Sequence, residues 1–277
     1  MQLKAFIKKS AEEKKISAQL IMQNYMMERL LERISLSPYK RNFILKGGFL
    51  IASIIGLDTR ATMDLDTTVK GFPLTHNSIH KIFEEICVIN VEDDFNFTFN
   101  HTADIREGDD YPGLRVNLTA NYSPLAVPVI VDVTTGDKIT PQEVEYSYKL
   151  MFDDRSISIL AYNLETILAE KLETILSRNI ANTRPRDFYD VHILYTLHSA
   201  DYDMILLQQA LNATMNKRGS ISMSAMKKYS NIIENIRKSP QMRGFWERYQ
   251  KDYRYAKNIS FDDTCNTVLK IMNMIST

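Results

Sequence analysis

Residues 46–69 read KGGFLIASIIGLDTRATMDLDTTV, and inside this apolar run two carboxylates, Asp64 and Asp66, stand one residue apart. A buried carboxylate is costly unless a positive partner neutralises it. Any fold of this chain must therefore bring a cation to that place. If Ala61 to Val69 is a strand, its period of two sets Asp64, Asp66 and Thr68 on one face and Met63, Leu65 and Thr67 on the other. Residues two apart on a strand lie about 6.5–7 Å apart at Cα, so their side chains can converge on one ion. On a helix the same pair would diverge.

Hard divalent ions take oxygen ligands, and Mg²⁺ is commonly held by one or two carboxylates together with nucleotide phosphates. The Asp-x-Asp pair suits that role, with Mn²⁺ as the alternative ion, beside the phosphates of a bound nucleotide. Asp132 is the third candidate ligand. It interrupts the run VIVDV, where Val129, Val131 and Val133 take the opposite face. Were its strand to lie beside the first, three carboxylates would surround a metal pair roughly 3.5–4 Å apart, suited to an in-line displacement. Upstream, Gly47 and Gly48 precede a short apolar helix, Phe49 to Ile55, which Gly56 would end. Glycines at a helix start let N–H groups approach phosphate oxygens, and the helix dipole favours the anion there. A purely structural turn is the alternative. Lys46 would add a positive charge, and Thr62 and Arg60 would shape the loop around a triphosphate, although Arg60 could equally be a surface ion pair.

The chain has 277 residues, 44% hydrophobic and 25% charged, which fits an ordinary soluble protein of one large or two smaller domains. Lys plus Arg equals Asp plus Glu at 34 each, so no global field selects a polyanionic partner. The last third is nonetheless basic, through Lys217, Arg218, Lys227, Lys228, Arg237, Lys238, Arg243, Arg248, Lys251, Arg254 and Lys257. That bias fits either a nucleic-acid-facing lobe or solvated helix faces. No apolar run near the motif approaches the roughly 20 residues that cross a bilayer, and no charged-then-apolar segment opens the chain, so a cytoplasmic protein away from membranes is expected. Cys87 and Cys265 match neither a metal-ligand spacing nor a disulfide framework and are expected as buried small hydrophobes.

Helical spacing of apolar residues predicts a helix over 17–35. From 41 to about 150 period-two runs appear: FNFTFN (95–100), GLRVNLTANY (113–122) and PVIVDVTT (128–135), the last with Pro128 at its start. HTADIREGDDYPG reads as the connection of an antiparallel pair. After about residue 156 strands should stop and helices take over, with loops near 179–185, 217–220 and 239–244. The expected architecture is an α/β domain with a mixed sheet over 1–155 and an α-helical domain over 156–277.

In the helical part, NLETILAEKLETILSR (163–178) sets Lys171 inside an apolar stripe, either snorkelling or pointing into a cleft towards triphosphate oxygens, while Glu170 and Glu173 should be solvated. In TRPRDFYDVHIL (183–194), Asp187 lies close behind Pro185, where a helix dipole welcomes it, yet shares a face with Val191 and Leu194. It would pair with Lys171 or orient the nucleotide or attacking group. Asp190 reads as a structural partner of Arg186 or Arg178. His192 has no second histidine at ligand spacing, and His76, His80, His101 and His198 form no constellation.

Together LKGGFLIASIIGLDTRATMDLD, IVDV and ETILAEKLETILSRNIANTRPRDFYDVHIL resemble the AbiEii/AbiGii family of nucleotidyltransferase-like toxins of type IV toxin–antitoxin and abortive-infection systems, over roughly residues 15–200. The resemblance implies a nucleotidyltransferase fold of the DNA polymerase β type in the N-terminal domain. It matches Asp64 and Asp66 to the metal-binding pair, Asp132 to the third acid, and Lys171 and Asp187 to nucleotide-handling positions. The broader superfamily often has Gly-Ser where Gly47-Gly48 stands, so a serine hydroxyl contact to phosphate is missing. It further implies transfer of NMP from an NTP to an RNA acceptor, the tRNA 3′ end in relatives, which blocks translation and underlies phage defence. An antitoxin encoded alongside is implied, whether or not it binds directly.

On this reading Asp64, Asp66 and Asp132 bind Mg²⁺ in a cleft between domains, with the phosphates on Lys46, Gly47, Gly48 and Lys171. Two rivals use the same residues: a non-catalytic nucleotide- or RNA-binding module, and a phosphotransferase acting on a protein or small molecule.

Overall fold

In the computed structural model, which describes residues 2–105, 113–220 and 229–276, the period-two segments pair into one seven-stranded mixed sheet. The chain begins with helices α1 (Gln2–Lys14) and α2 (Ala18–Leu36), then strand β1 (Phe43–Lys46), α3 (Gly47–Ile55), β2 (Leu65–Val69) and α4 (His76–Cys87). Strands β3 (Asn96–Ile105), β4 (Gly113–Tyr122), β5 (Leu125–Thr135), β6 (Val144–Lys149) and β7 (Ser156–Ala161) complete the sheet, in the order β3-β4-β5-β2-β1-β7-β6. Pairing is parallel for β2 with β5 and β1 with β7, and antiparallel elsewhere. Among the described residues six α-helices follow: α5 (Leu164–Arg178), α6 (Pro185–His198), α7 (Met204–Lys217), α8 (Tyr229–Lys238), α9 (Pro240–Asp252) and α10 (Phe261–Ser276). The expected class, a mixed α/β part followed by an α-helical part, is the observed one.

The chain forms two compact units, residues 1–137 with 143–161, and residues 138–142 with 162–277. Strands therefore do not stop at 156: SISI alternates exposed serines with isoleucines, and β7 joins the sheet beside β1. Pro128 is the fourth residue of β5 rather than its start. β2 pairs with β5 only from Val131 onward, so the proline lies where that flank has no ladder to break. Strand β2 begins at Leu65, four residues later than expected. The preceding loop is held from α2 instead: Asn24 Nδ2 donates to the Thr62 carbonyl at 2.9 Å. Residues 106–112 of the expected connection, and Lys227 and Lys228 of the basic group, lie outside the described residues.

In the first unit one sheet face is core. Leu65, Val131 and Val116 lie side by side across β2, β5 and β4, all fully buried. α2 packs against β5 and β7, burying Ile21, Met26, Met27 and Leu30 completely. Its apolar spacing conceals four buried charges. Arg33 forks onto Asp93 at 2.7 and 3.0 Å, Arg29 pairs with Glu28 at 2.8 Å and with Glu32 at 2.6 Å, and Arg155 reaches Glu32 at 2.9 Å. Burial pushes the Glu28 carboxyl up from 4.5 to about 7, against the opposing pull of Arg29. A folded-state value above the unfolded one means that the native state binds the extra proton. The associated stability is complete below about 4.5 and is lost as pH rises through about 7. Glu28→Gln should flatten the fall in stability across that window, as read from urea midpoints at pH 5 and pH 8.

The second unit is built from caps and aromatic packing. Asn163 caps α5 through its side chain, and Pro185 stands in the first turn of α6. Ser239 caps α9 with Pro240 as its first residue, so the expected loop over 239–244 is a helix start: the proline lacks only a donor that the first turn leaves unused. Phe188, Tyr189, Trp246 and Phe261 are buried together, and Trp246 Nε1 donates to the Ile259 carbonyl at 3.1 Å. Cys265 is buried as expected, whereas Cys87 is half-buried.

Candidate active site

Four charged residues form one row across four strands of the first unit. Lys46 on β1 is in register with Asp66 on β2, Asp66 with Asp132 on β5, and Asp132 with Arg115 on β4. Cross-strand partners project to the same side of a sheet, so the row lies on the face opposite Leu65, Val131 and Val116. Its signs run plus, minus, minus, plus. The cation that the two half-buried carboxylates call for is thus supplied in part by the chain itself. Asp64, two residues before Asp66 and half-buried, ends the loop that leads into β2.

Gly47 has φ +68°, a left-handed value that disfavours a side chain, and a Cβ there would stand 2.0 Å from Asp66 Oδ2. The Gly48 N–H donates to the same Oδ2 at 3.2 Å, at the start of α3, where the helix dipole favours an anion. The double glycine therefore closes around the protein's own carboxylate. A Cβ on Gly48 would meet Thr62 Oγ1 at 2.8 Å and an Arg60 guanidinium nitrogen at 3.3 Å, which places Thr62 and Arg60 beside the same turn. Arg60 is buried rather than a surface residue and donates to the Ala61 carbonyl. Gly47→Ala is expected to cost at least about 1–2 kcal/mol for the left-handed backbone alone. The shifted thermal midpoint should be accompanied by loss of the Asp66 environment, checked by differential scanning calorimetry and divalent-ion binding.

Lys46 is buried. Its ammonium donates to Thr134 Oγ1 at 2.6 Å and to the Asp137 carboxylate, which places it in an ion pair within the sheet. Arg115 grips Asp132 bidentately, with Nε to Oδ1 at 2.8 Å and Nη2 to Oδ2 at 2.9 Å. That bond, more than the further attraction of Asp132, Asp64 and Asp66, holds the guanidinium firmly protonated. Neither Arg115 nor Asp137 stood out as a site residue in the sequence; the signal for Arg115 was its place on the polar side of an alternating strand.

The donor chemistry fits a hard divalent cation at Asp64 and Asp66, which offer carboxylate oxygens two residues apart. Asp132 is close in register, but both its oxygens take the Arg115 fork. Among the described residues no three acidic, histidine or cysteine side chains converge as a ready metal cage.

The second unit holds a separate cluster. Lys171 on α5 pairs with Asp187 Oδ1 at 2.8 Å and Asp190 Oδ2 at 2.9 Å, and Arg184 lies 3.4 Å from Asp187 Oδ2. Both aspartates are buried, at 1% and 0% side-chain exposure, so Lys171 is their counter-charge. Asp190 is thus a partner of Lys171 instead of Arg186 or Arg178, because α6 turns it onto the same side as Asp187. Glu173 is buried, not solvated: Arg218 and Ser220 satisfy its two oxygens. Glu170 also pairs with Arg218, at 3.1 Å. His192 bonds Thr267 Oγ1 at 2.8 Å, and burial lowers its pKa.

The fold and the motif row can be set beside known proteins. A candidate nucleotidyltransferase from H. pylori superposes with a TM-score of 0.50 at 13% identity, covering 94% of this chain and 98% of that one. A second structure, JHP933 from Helicobacter pylori, superposes at 0.49 with 13% identity, covering 94% of each chain. No curated protein matches the sequence significantly. Among the described residues no helix is long and apolar enough to cross a membrane. The family model of the nucleotidyl transferase AbiEii toxin, of type IV toxin–antitoxin systems, matches residues 29–266 and so takes in both the charged row and the Lys171 cluster. The chain belongs to the AbiEii family of nucleotidyl transferase toxins.

Proposed function

We propose that this protein transfers NMP from an NTP to an RNA acceptor, the tRNA 3′ end, and thereby blocks translation as the toxin of a type IV toxin–antitoxin pair. The observation that carries the reading is the register of Asp66 with Asp132 on adjacent parallel strands, with Asp64 two residues upstream and the Gly47-Gly48 turn closed on Asp66. Asp64 and Asp66 would hold Mg²⁺, or Mn²⁺ in its place, with Asp132 as the third acid. A bound ion there supplies charge neutralisation at the α-phosphate and lowers the pKa of an attacking hydroxyl.

The chain's own residues supply position. The Gly48 N–H and the N-terminus of α3 fix one oxygen of Asp66, so the carboxylate is preorganised for its ligand. Arg60 and Thr62 border the turn and shape the space in which a triphosphate is held. The ion pair of Lys46 with Asp137 fixes the end of β1, from which the turn springs. Nucleotide-handling roles for Lys171 and Asp187 belong to the same proposal, as does a cognate antitoxin that acts with or without direct contact, in a cytoplasmic setting.

Incubation of the purified protein with total bacterial tRNA, Mg²⁺ and each α-³²P-labelled NTP in turn tests the proposal. Label on tRNA with one NTP supports it and names the base. Label on no RNA, despite Mg²⁺-dependent NTP binding, removes the tRNA acceptor from the account.

A further inference from the structure

We infer that Arg115 keeps Asp132 in reserve: the nucleotide-free protein takes one divalent ion, at Asp64 and Asp66, and Asp132 becomes a ligand only when the Arg115 guanidinium moves to an anionic phosphate. The inference rests on the proposed divalent-ion and NTP chemistry and adds an order of events to it.

Asp66 and Asp132 are in-register neighbours on strands about 4.8 Å apart, so their like charges repel without a cation between or beside them. The structure supplies that cation from the far side of Asp132. Both oxygens of Asp132 are taken by two nitrogens of one planar guanidinium, at 2.8 and 2.9 Å, the geometry in which arginine binds carboxylates most strongly. A divalent ion on Asp132 would stand within a few ångströms of that guanidinium, and the two positive groups would compete for the same oxygens. Asp66 is held differently, by a backbone N–H, a neutral donor that a metal ion does not repel.

Arg115 is also built to move. Its side chain is 40% exposed, while the Asp132 side chain is 18% exposed, and among the described residues its Nη1 has no hydrogen-bond partner. The unused edge can donate to a phosphate oxygen before the fork releases Asp132. Two anionic oxygens of one phosphate group can accept the same pair of guanidinium N–H groups as the carboxylate they would replace. The anion is identified by that chemistry, and the NTP of the proposed reaction provides it. Because β4 is anchored by its ladders to β3 and β5, the exchange requires only side-chain rotation.

Mn²⁺ binding to the nucleotide-free protein, followed by electron paramagnetic resonance and calorimetry, tests this without reference to turnover. Wild type should bind one ion. Arg115→Gln should bind a second, or bind ions at least about tenfold more tightly, and adding Asp132→Asn should reverse that gain. Arg115→Lys, which keeps the charge without the fork, should fall between, and circular dichroism should show all variants folded. With a non-hydrolysable NTP analogue, wild type should reach the stoichiometry of Arg115→Gln. Two ions in nucleotide-free wild type, or identical binding in wild type, Arg115→Gln and Arg115→Lys, would overturn the inference. Should Asp66→Asn leave Mn²⁺ binding intact, the metal reading of the site itself fails.

Discussion

Asp66→Asn should abolish nucleotidyl transfer, lowering the rate by at least about 10²–10³-fold, with little change in thermal stability. The asparagine has the same shape, still accepts the Gly48 N–H, and removes one of two adjacent negative charges, so the fold gains rather than loses electrostatically. What disappears is the charge that a divalent ion needs. Rate measurement at saturating Mn²⁺ separates this from a weakened site that excess metal could refill. A variant with wild-type rate would show that Asp66 is held by the turn for structural reasons alone.

Lys171→Met should destabilise the second unit by about 3–5 kcal/mol, the usual consequence of removing one member of a buried ion cluster. Asp187 and Asp190 are both essentially inaccessible and would lose their nearest ammonium. Urea unfolding of wild type and variant in the same buffer reads the loss directly. Adding Asp187→Asn and Asp190→Asn to Lys171→Met should restore part of the loss, whereas an unchanged midpoint in the single variant would mean that the cluster contributes nothing to stability.

The placement of Asp66 and Asp132 opposite the apolar sides of their strands was legible because strand periodicity is local. The alternation of Val129, Val131 and Val133 against Asp132, and of Leu65 against Asp66, is written in adjacent residues. Gly47 was legible for a related reason: a double glycine at a strand-to-helix turn marks a backbone where no Cβ fits, although its near neighbour proved to be Asp66. The pairing of Lys171 with Asp187 was one of the alternatives that two helical stripes, each visible by itself, left open. Arg115 was not, since its partnership with Asp132 depends on the register of β4 against β5, which no spacing within either strand encodes. Asp190 and Glu173 were misplaced because helical periodicity gives a direction and says nothing of which helix lies there. Nor does the helical spacing of α2 tell that Glu28, Arg29, Glu32 and Arg33 are buried, since α2 is enclosed on more than one side.

The register also gives the site an economy of charge. Lys46 and Arg115 flank Asp66 and Asp132 at the two ends of the row, so the half-buried acids have positive neighbours on both sides. Asp64, at the mouth of the strand, adds a third carboxylate beside the row. An acid within an apolar strand is affordable on these terms.

The central claim is that a nucleotide, and not a phosphate, is moved. Intact-mass analysis of a purified tRNA incubated with the protein, Mg²⁺ and an NTP tests it most directly. The account predicts a mass increase of one or more whole nucleotide residues at the 3′ end, absent with Asp66→Asn. An increase by phosphate alone, or an unchanged tRNA beside a phosphorylated protein, would contradict it.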